Sequence, residues 1–335
     1  MIAPSWVGDL VQCQSLIQLL RQRPERPVID IVLPSWTFPL AERLPGLRRA
    51  YELAVPHGHL ALAKRWKLAR KLRESGYDEA IVIPRSWKSA LVPYGAKIPK
   101  RTGFSGENRH LLLNDRRPNP ARHTIPFRDQ ILSLGLPRGV PLPNPPPTPQ
   151  LRIDAENRTR LLSRLAPTDT RQRVALMPGA EYGPSKRWPV VHFGALARKL
   201  LEDGQAVWIL GSANDRPYGA AIAGLAPGVR NFCGQTSLPD VVDLLSSVTL
   251  AVTNDSGLMH VAAAVGIPLV GLYGSSSPRY TPPAISRARL LSLDLECSPC
   301  FARECPLGHL RCLRDLPVDR VFTAVKELLP NRAGG

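Results

Sequence analysis

Apolar and polar positions alternate along this chain in blocks that read as strand, helix, strand. The clearest block spans residues 248–268. It begins as a β-branched apolar run, breaks at Asn254-Asp255-Ser256-Gly257, and resumes as an alanine-rich run ending at Gly266 and Pro268. A second apolar run, Leu269 to Tyr273, follows at once. The pattern predicts strand, tight turn, helix, stop, strand. Connections this short make a βαβ unit whose strands are parallel neighbours. Upstream, the same reading predicts helices at 10–20, 61–75, 89–96 and 124–134, and strands at 28–33, 50–55, 79–84 and 100–104. Residues 40–47 read as a short helix or turn, and 108–114 as strand and loop. A strand should also precede Gly8-Asp9, and only Met1 and Ile2 stand there to form it. Later blocks predict helices at 154–165, 189–202, 218–226, 238–247 and 318–329, with strands at 173–178, 206–210 and 229–232. Alternation of this kind belongs to the α/β class.

Between the two halves lies Pro137 to Pro149, in which seven of thirteen residues are proline. No helix or inner strand tolerates that density, so a semi-rigid extended linker is expected. It divides the 335 residues into 1–150 and 151–335, a comfortable length for two domains. No apolar stretch is long enough to span a membrane. The first residues lack the basic start and apolar core of a signal peptide, so a cytoplasmic protein is expected. The formal net charge of +17, from 44 Lys+Arg against 27 Asp+Glu, draws the chain toward polyanions or a phosphorylated substrate. The plainer reading of that charge is a solvated, arginine-rich surface.

Candidate chemistry gathers at the predicted carboxyl ends of strands, where open parallel sheets bind ligands. Asp255, Ser256 and Gly257 form the turn that opens a helix, and His260 lies one turn along the same face. Such a turn favours a phosphate. Alternatively, Asp255 is a helix cap and His260 a satisfied buried histidine. Lys186 and Arg187 sit in a second such loop, as cations for a diphosphate or as a solvated basic turn. Asp9 is either a cap or a general base. Cys13 and Cys233 read as buried apolar residues. Cys297, Cys300, Cys305 and Cys312 cluster around His309. They suggest structural zinc, or a thiol-rich loop that binds nothing. The chain has no G-x-G-x-x-G, no P-loop and no D-x-D triplet, which argues against a dinucleotide dehydrogenase, a P-loop ATPase and a metal–nucleotide clamp.

Several longer motifs carry a resemblance. Pro4-Ser-Trp-Val-Gly-Asp9, Ser86-x-Lys88-Ser-Ala-Leu91, Arg101-Thr-Gly-Phe-Ser-Gly-Glu107, the stretch from Pro178 to Trp188, and Thr253-Asn-Asp-Ser-Gly-Leu-Met-His260 resemble the ADP-heptose:lipopolysaccharide heptosyltransferases of glycosyltransferase family 9. The likeness is greatest to the heptosyltransferase II type of inner-core assembly, and it covers nearly the whole chain. It implies the GT-B architecture: two Rossmann-like domains whose parallel sheets face a central cleft, the first binding acceptor and the second nucleotide sugar. It implies inverting transfer of heptose from ADP-heptose to the first heptose of a Kdo–lipid A acceptor. Asp9 would be the base. Glu181, Tyr182, Lys186, Asp255, Ser256, Gly257 and His260 would hold the donor, and Ser86, Lys88 and Arg101 the acceptor. Glu181-Tyr182 replaces the small hydroxyl residues of some relatives. No metal cofactor is required. The expected partners are ADP-heptose, the lipid acceptor and the anionic inner face of the inner membrane, not nucleic acid, and a monomer is expected. Competing readings are a GT-B enzyme with another donor or acceptor position, and a non-catalytic basic module binding polyanions.

Overall fold

Two parallel sheets order the chain in a computed structural model that describes residues 1–56, 58–121, 123–165 and 170–330. The chain splits into two compact units, Met1–Pro149 and Gln150–Gly335. The proline-rich segment carries no helix or strand.

The first unit runs α1 (Val7–Arg21), β1 (Asp30–Pro34), β2 (Arg49–Leu53), α2 (Leu62–Arg73), β3 (Glu79–Val82), α3 (Leu91–Gly95), β4 (Lys100–Phe104), β5 (Asp115–Arg117) and α4 (Phe127–Ser133). Strands β1 and β2 pair in parallel, and β3, β4 and β5 form a second parallel ladder. Ile2 joins the two ladders by parallel bridges to Val32 and Val82. Its backbone N–H donates to Ile81 O (2.8 Å) and its carbonyl accepts from Ile83 N–H (3.2 Å). The strand expected before Gly8-Asp9 is thus a bridge one residue wide, with the loop to α1 hanging from it. Helix α1 starts at Val7, three residues earlier than its apolar pattern predicts, which puts Asp9 inside the first helical turn.

The second unit runs α5 (Ala155–Leu165), β6 (Arg173–Met177), α6 (Val190–Glu202), β7 (Ala206–Ile209), α7 (Arg216–Leu225), β8 (Arg230–Asn231), α8 (Leu238–Leu245), β9 (Leu250–Asn254), α9 (Gly257–Val265), β10 (Leu269–Leu272), β11 (Ala288–Leu291), α10 (Arg311–Arg314) and α11 (Val318–Leu328). Its six strands lie in the order β11-β10-β9-β6-β7-β8, all parallel. The inner strands are buried on both faces, which is why they read as unbroken apolar runs. Val174, Leu176, Val252, Val270 and Leu272 pack there against Phe193 and Leu196 of α6 and Val321 and Val325 of α11. Each such side chain contributes roughly 1.5–3 kcal/mol by leaving water. Gly266, at φ 90°, stops α9 and turns the chain into β10. Among the described residues no helix is long and apolar enough to cross a membrane.

Candidate functional site

The turn between β9 and α9 stands at the carboxyl end of two adjacent strands, and its groups are already committed. The Asp255 carboxylate accepts from Lys186 Nζ at 2.6 Å and from Thr281 Oγ1 at 3.3 Å. It is therefore an ion-pair partner and not the cap of α9. Ser256 occupies the cap position with extended backbone and makes no capping side-chain bond. The Met259 N–H donates to Ser256 O (3.2 Å), and the helix dipole at this end favours an anion. The pair is nearly dry, with side-chain exposures of 16% for Lys186 and 4% for Asp255. Two cations gained from the sequence reading thus part company. Lys186 joins the turn, whereas Arg187 lies on the Tyr218 ring at 4.6 Å and donates to Ala180 O (3.1 Å), so it fastens the loop to α7.

His260 is buried on the first turn of α9. Burial pushes its pKa down to about 4; the Asp255 charge opposes that shift and the Lys186 charge adds to it. At neutral pH it is a neutral imidazole, able to donate a hydrogen bond without adding a charge. Tyr182 lays its ring under Lys186 Nζ at 5.1 Å. Glu181 is exposed beside it. Lys186, Asp255, Ser256, Gly257, His260 and Tyr182 therefore form one constellation.

Several of its supports left no mark in the pattern. Asn254 is fully buried, accepting from Trp188 N–H (3.1 Å) and donating to Pro178 O (2.7 Å), which ties the lysine loop to β9. Trp188 anchors the loop's far end through Nε1 to Leu316 O (3.1 Å). Gly179 begins the loop where an added Cβ would lie 2.6 Å from the Asp215 carboxylate. Thr281 is held through its carbonyl by the buried Tyr273 hydroxyl (2.8 Å).

The cysteine segment braces the same loop. Tyr182 Oη donates to Phe301 O (2.7 Å), Ser185 N–H to Arg303 O (3.2 Å), and the Ser185 hydroxyl to Ala302 O. Cys305 Sγ accepts from Leu310 N–H (3.4 Å), and backbone donors, Leu310 first, lower its pKa. Burial raises the thiol of Cys312, and its neighbours Cys300, Cys305 and Cys297 add to the shift. Among the described residues no three His, Cys, Asp or Glu side chains come together in a metal-holding group. The zinc alternative finds no such group in this loop; what the loop visibly does is hold the lysine loop in place.

In the first unit a cavity of about 320 Å³ opens at the carboxyl ends of β1, β2 and β3. Ser86 and Lys88 line it, with Arg65, His59 and Trp36. Arg65 is buried there, donating to Leu60 O (2.6 Å) and Lys88 O (3.1 Å). Beneath lies Arg109, wholly buried and bonded to Phe104 O (2.8 Å) and Pro84 O (2.6 Å). Burial lowers its pKa to about 10. Arg101 does not join this set. Its guanidinium is taken up by Leu112 O (2.7 Å) and Ile98 O (2.6 Å) near the amino end of β4. Asp9 is half-buried, outside the residues that line the cavity.

The family model for glycosyltransferase family 9 (heptosyltransferase) matches residues 65–311. The chain belongs to glycosyltransferase family 9. Lipopolysaccharide heptosyltransferase 2 of Escherichia coli is 38% identical over 338 residues, covering 98% of this chain and 97% of that one. Lipooligosaccharide heptosyltransferase 2 of Haemophilus influenzae is 41% identical over 304 residues, 87% of each. The solved E. coli ADP-heptose lipopolysaccharide heptosyltransferase II superposes with a TM-score of 0.87 at 37% identity, covering 98% of this chain and 97% of its own. The family 9 chain is thus a glycosyltransferase, and its two parallel-sheet units have the GT-B fold class.

Proposed function

We propose that this family 9 enzyme transfers heptose from ADP-heptose to the first heptose of a Kdo–lipid A acceptor, inverting the anomeric centre. The observation that carries the reading is the dry Lys186–Asp255 pair beside the uncapped end of α9. The helix end supplies positive potential where a diphosphate leaves, and the pair fixes the Lys186 ammonium beside it. The names of the full-length relatives, heptosyltransferases of the second type, support the same donor and acceptor. The second unit then binds the nucleotide sugar, through Tyr182, Lys186, Asp255, Ser256, Gly257 and His260, with Glu181 at the edge. The first unit binds the acceptor, with Ser86 and Lys88 in the cavity and Arg101 as a support of β4.

In this mechanism Asp9 takes the proton of the acceptor hydroxyl as its oxygen attacks the anomeric carbon. The bond from that carbon to the β-phosphate oxygen breaks, and its electron pair leaves on ADP. Lys186, the N–H groups of α9 and the neutral His260 stabilise the growing charge. The acceptor carries a lipid, and α2 presents Lys64, Lys67, Arg70 and Lys71 to solvent beside exposed Leu62 and Trp66. Cations with an amphipathic aromatic suit an anionic leaflet, so the enzyme works as a peripheral protein on the inner face of the inner membrane, released by salt.

The test is Asp9→Ala. Transfer should fall at least about 10²-fold, the loss of one general base, while ADP-heptose binds as before. Turnover near the parent's level refutes the assigned base.

A further inference from the structure

One cation near the lysine loop is still unassigned. Arg303 lies in the brace, and its guanidinium packs on the Tyr182 ring at 5.6 Å, the same ring that carries Lys186 at 5.1 Å. Its Nε donates to Tyr182 O at 2.6 Å. Among the described residues neither Nη atom makes a hydrogen bond, and no carboxylate pairs with this side chain. Lys186 is balanced by Asp255 and His260 is neutral, so the exposed Arg303, with no carboxylate partner among the described residues, is the cation here left to meet an anion. Like charges on one aromatic ring repel, and a bound anion would turn that repulsion into attraction.

The position of Arg303 is set by backbone contacts. Its own carbonyl accepts from Ser185 N–H, the preceding carbonyl from the Ser185 hydroxyl, and Phe301 N–H donates to Ser275 O (2.6 Å). Ser275 Oγ in turn pairs with Ser185 Oγ at 3.0 Å. Gly183 lets the two strands of this seam touch, because a Cβ there would collide with Arg303 O. A guanidinium held by its Nε presents its two terminal amino groups as a fork, a geometry suited to phosphate oxygens.

We propose that Arg303 is a second cation of the donor site, gripping the diphosphate of the nucleotide sugar and holding the ADP that departs. The proposal rests on the reading that the second unit takes a nucleotide diphosphate. As the sugar–oxygen bond breaks, the electron pair stays on the β-phosphate oxygen, and Arg303 meets that charge from the side opposite its Tyr182 carbonyl anchor.

Calorimetric titration of the full chain with ADP, and with adenosine as the phosphate-free probe, tests it. Arg303→Gln should weaken ADP about tenfold and leave adenosine within twofold. Arg303→Lys, which restores the charge without the fork, should recover part of the loss. Unchanged ADP affinity in Arg303→Gln overturns the proposal, as does an equal loss for ADP and adenosine, which would make Arg303 only a strut of the loop. A parent protein that binds no ADP refutes the nucleotide-sugar reading itself.

Discussion

Protonating His260 should destabilise the second unit. The imidazole is buried, and its pKa falls from an ordinary 6.5 to about 4, chiefly through loss of hydration. In the unfolded chain the same group takes its proton as pH drops through 6.5. Between pH 6.5 and 4 the unfolded state therefore binds more protons, and stability falls as pH falls. A shift of this size corresponds to about 3 kcal/mol, present in full above pH 6.5 and lost by about pH 4. That is a large share of the roughly 5–15 kcal/mol that holds a domain folded. Urea unfolding at pH 7 and pH 4.5 measures it, as a fall in midpoint of roughly 1 M. Tryptophan emission reports mainly this unit, because Trp188 and Trp208 are fully buried here while Trp6, Trp36, Trp66 and Trp87 of the first unit are exposed. His260→Gln should flatten the pH slope. A His260 ring proton that titrates near 6.5 by NMR, or a glutamine variant that keeps the parent slope, refutes this assignment.

Two further perturbations probe the supports. Lys186→Met leaves the buried Asp255 carboxylate with Thr281 alone of its two partners seen here, and should cost about 3–5 kcal/mol in chemical denaturation as well as most ADP affinity; replacing Asp255 by Asn in the same chain should restore part of the stability. Gly183→Ala fails for want of room and not for backbone conformation, since φ there is extended; donor KM should rise several-fold with little change in acceptor KM, and steady-state kinetics in both substrates would show otherwise.

Much of the second unit was legible because its strands are buried on both faces. Val252 or Leu272 sits in an unbroken apolar run, and the polar break at 254–257 could only be a turn. The first unit was harder. Strand β5 is Asp-Arg-Arg, with no apolar signal, and its charges are satisfied by Arg117 and Arg138 around Asp115. The predicted helix at 89–96 divides into a 3₁₀ turn, Trp87–Ala90, and the short α3, with Pro93 inside it. Ile2 pairs by a single residue, which no periodicity can announce. At the site, the sequence offered Lys186 and Asp255 as separate candidates. Their bond joins positions 69 residues apart, and only the sheet order brings them together. The clustering of Cys297, Cys300, Cys305 and Cys312 suggested zinc or a loop that binds nothing, and it carries no information about Tyr182 and Ser185, the groups this segment braces.

The seam between Tyr182 and Phe301 also bears on when the enzyme becomes able to act. Its hydrogen bond closes a loop of 119 residues, and the Trp188 anchor on Leu316 closes one of 128. Contacts so distant along the chain form slowly and late. During synthesis, strands β6 to β10 can assemble while the lysine loop still lacks its outer wall. The donor side is then unfinished until the cysteine segment and α11 have been made and have docked. A nascent chain halted short of residue 303 should be folded in part yet unable to grip a nucleotide, so the enzyme stays idle until the segment from residue 303 onward is in place.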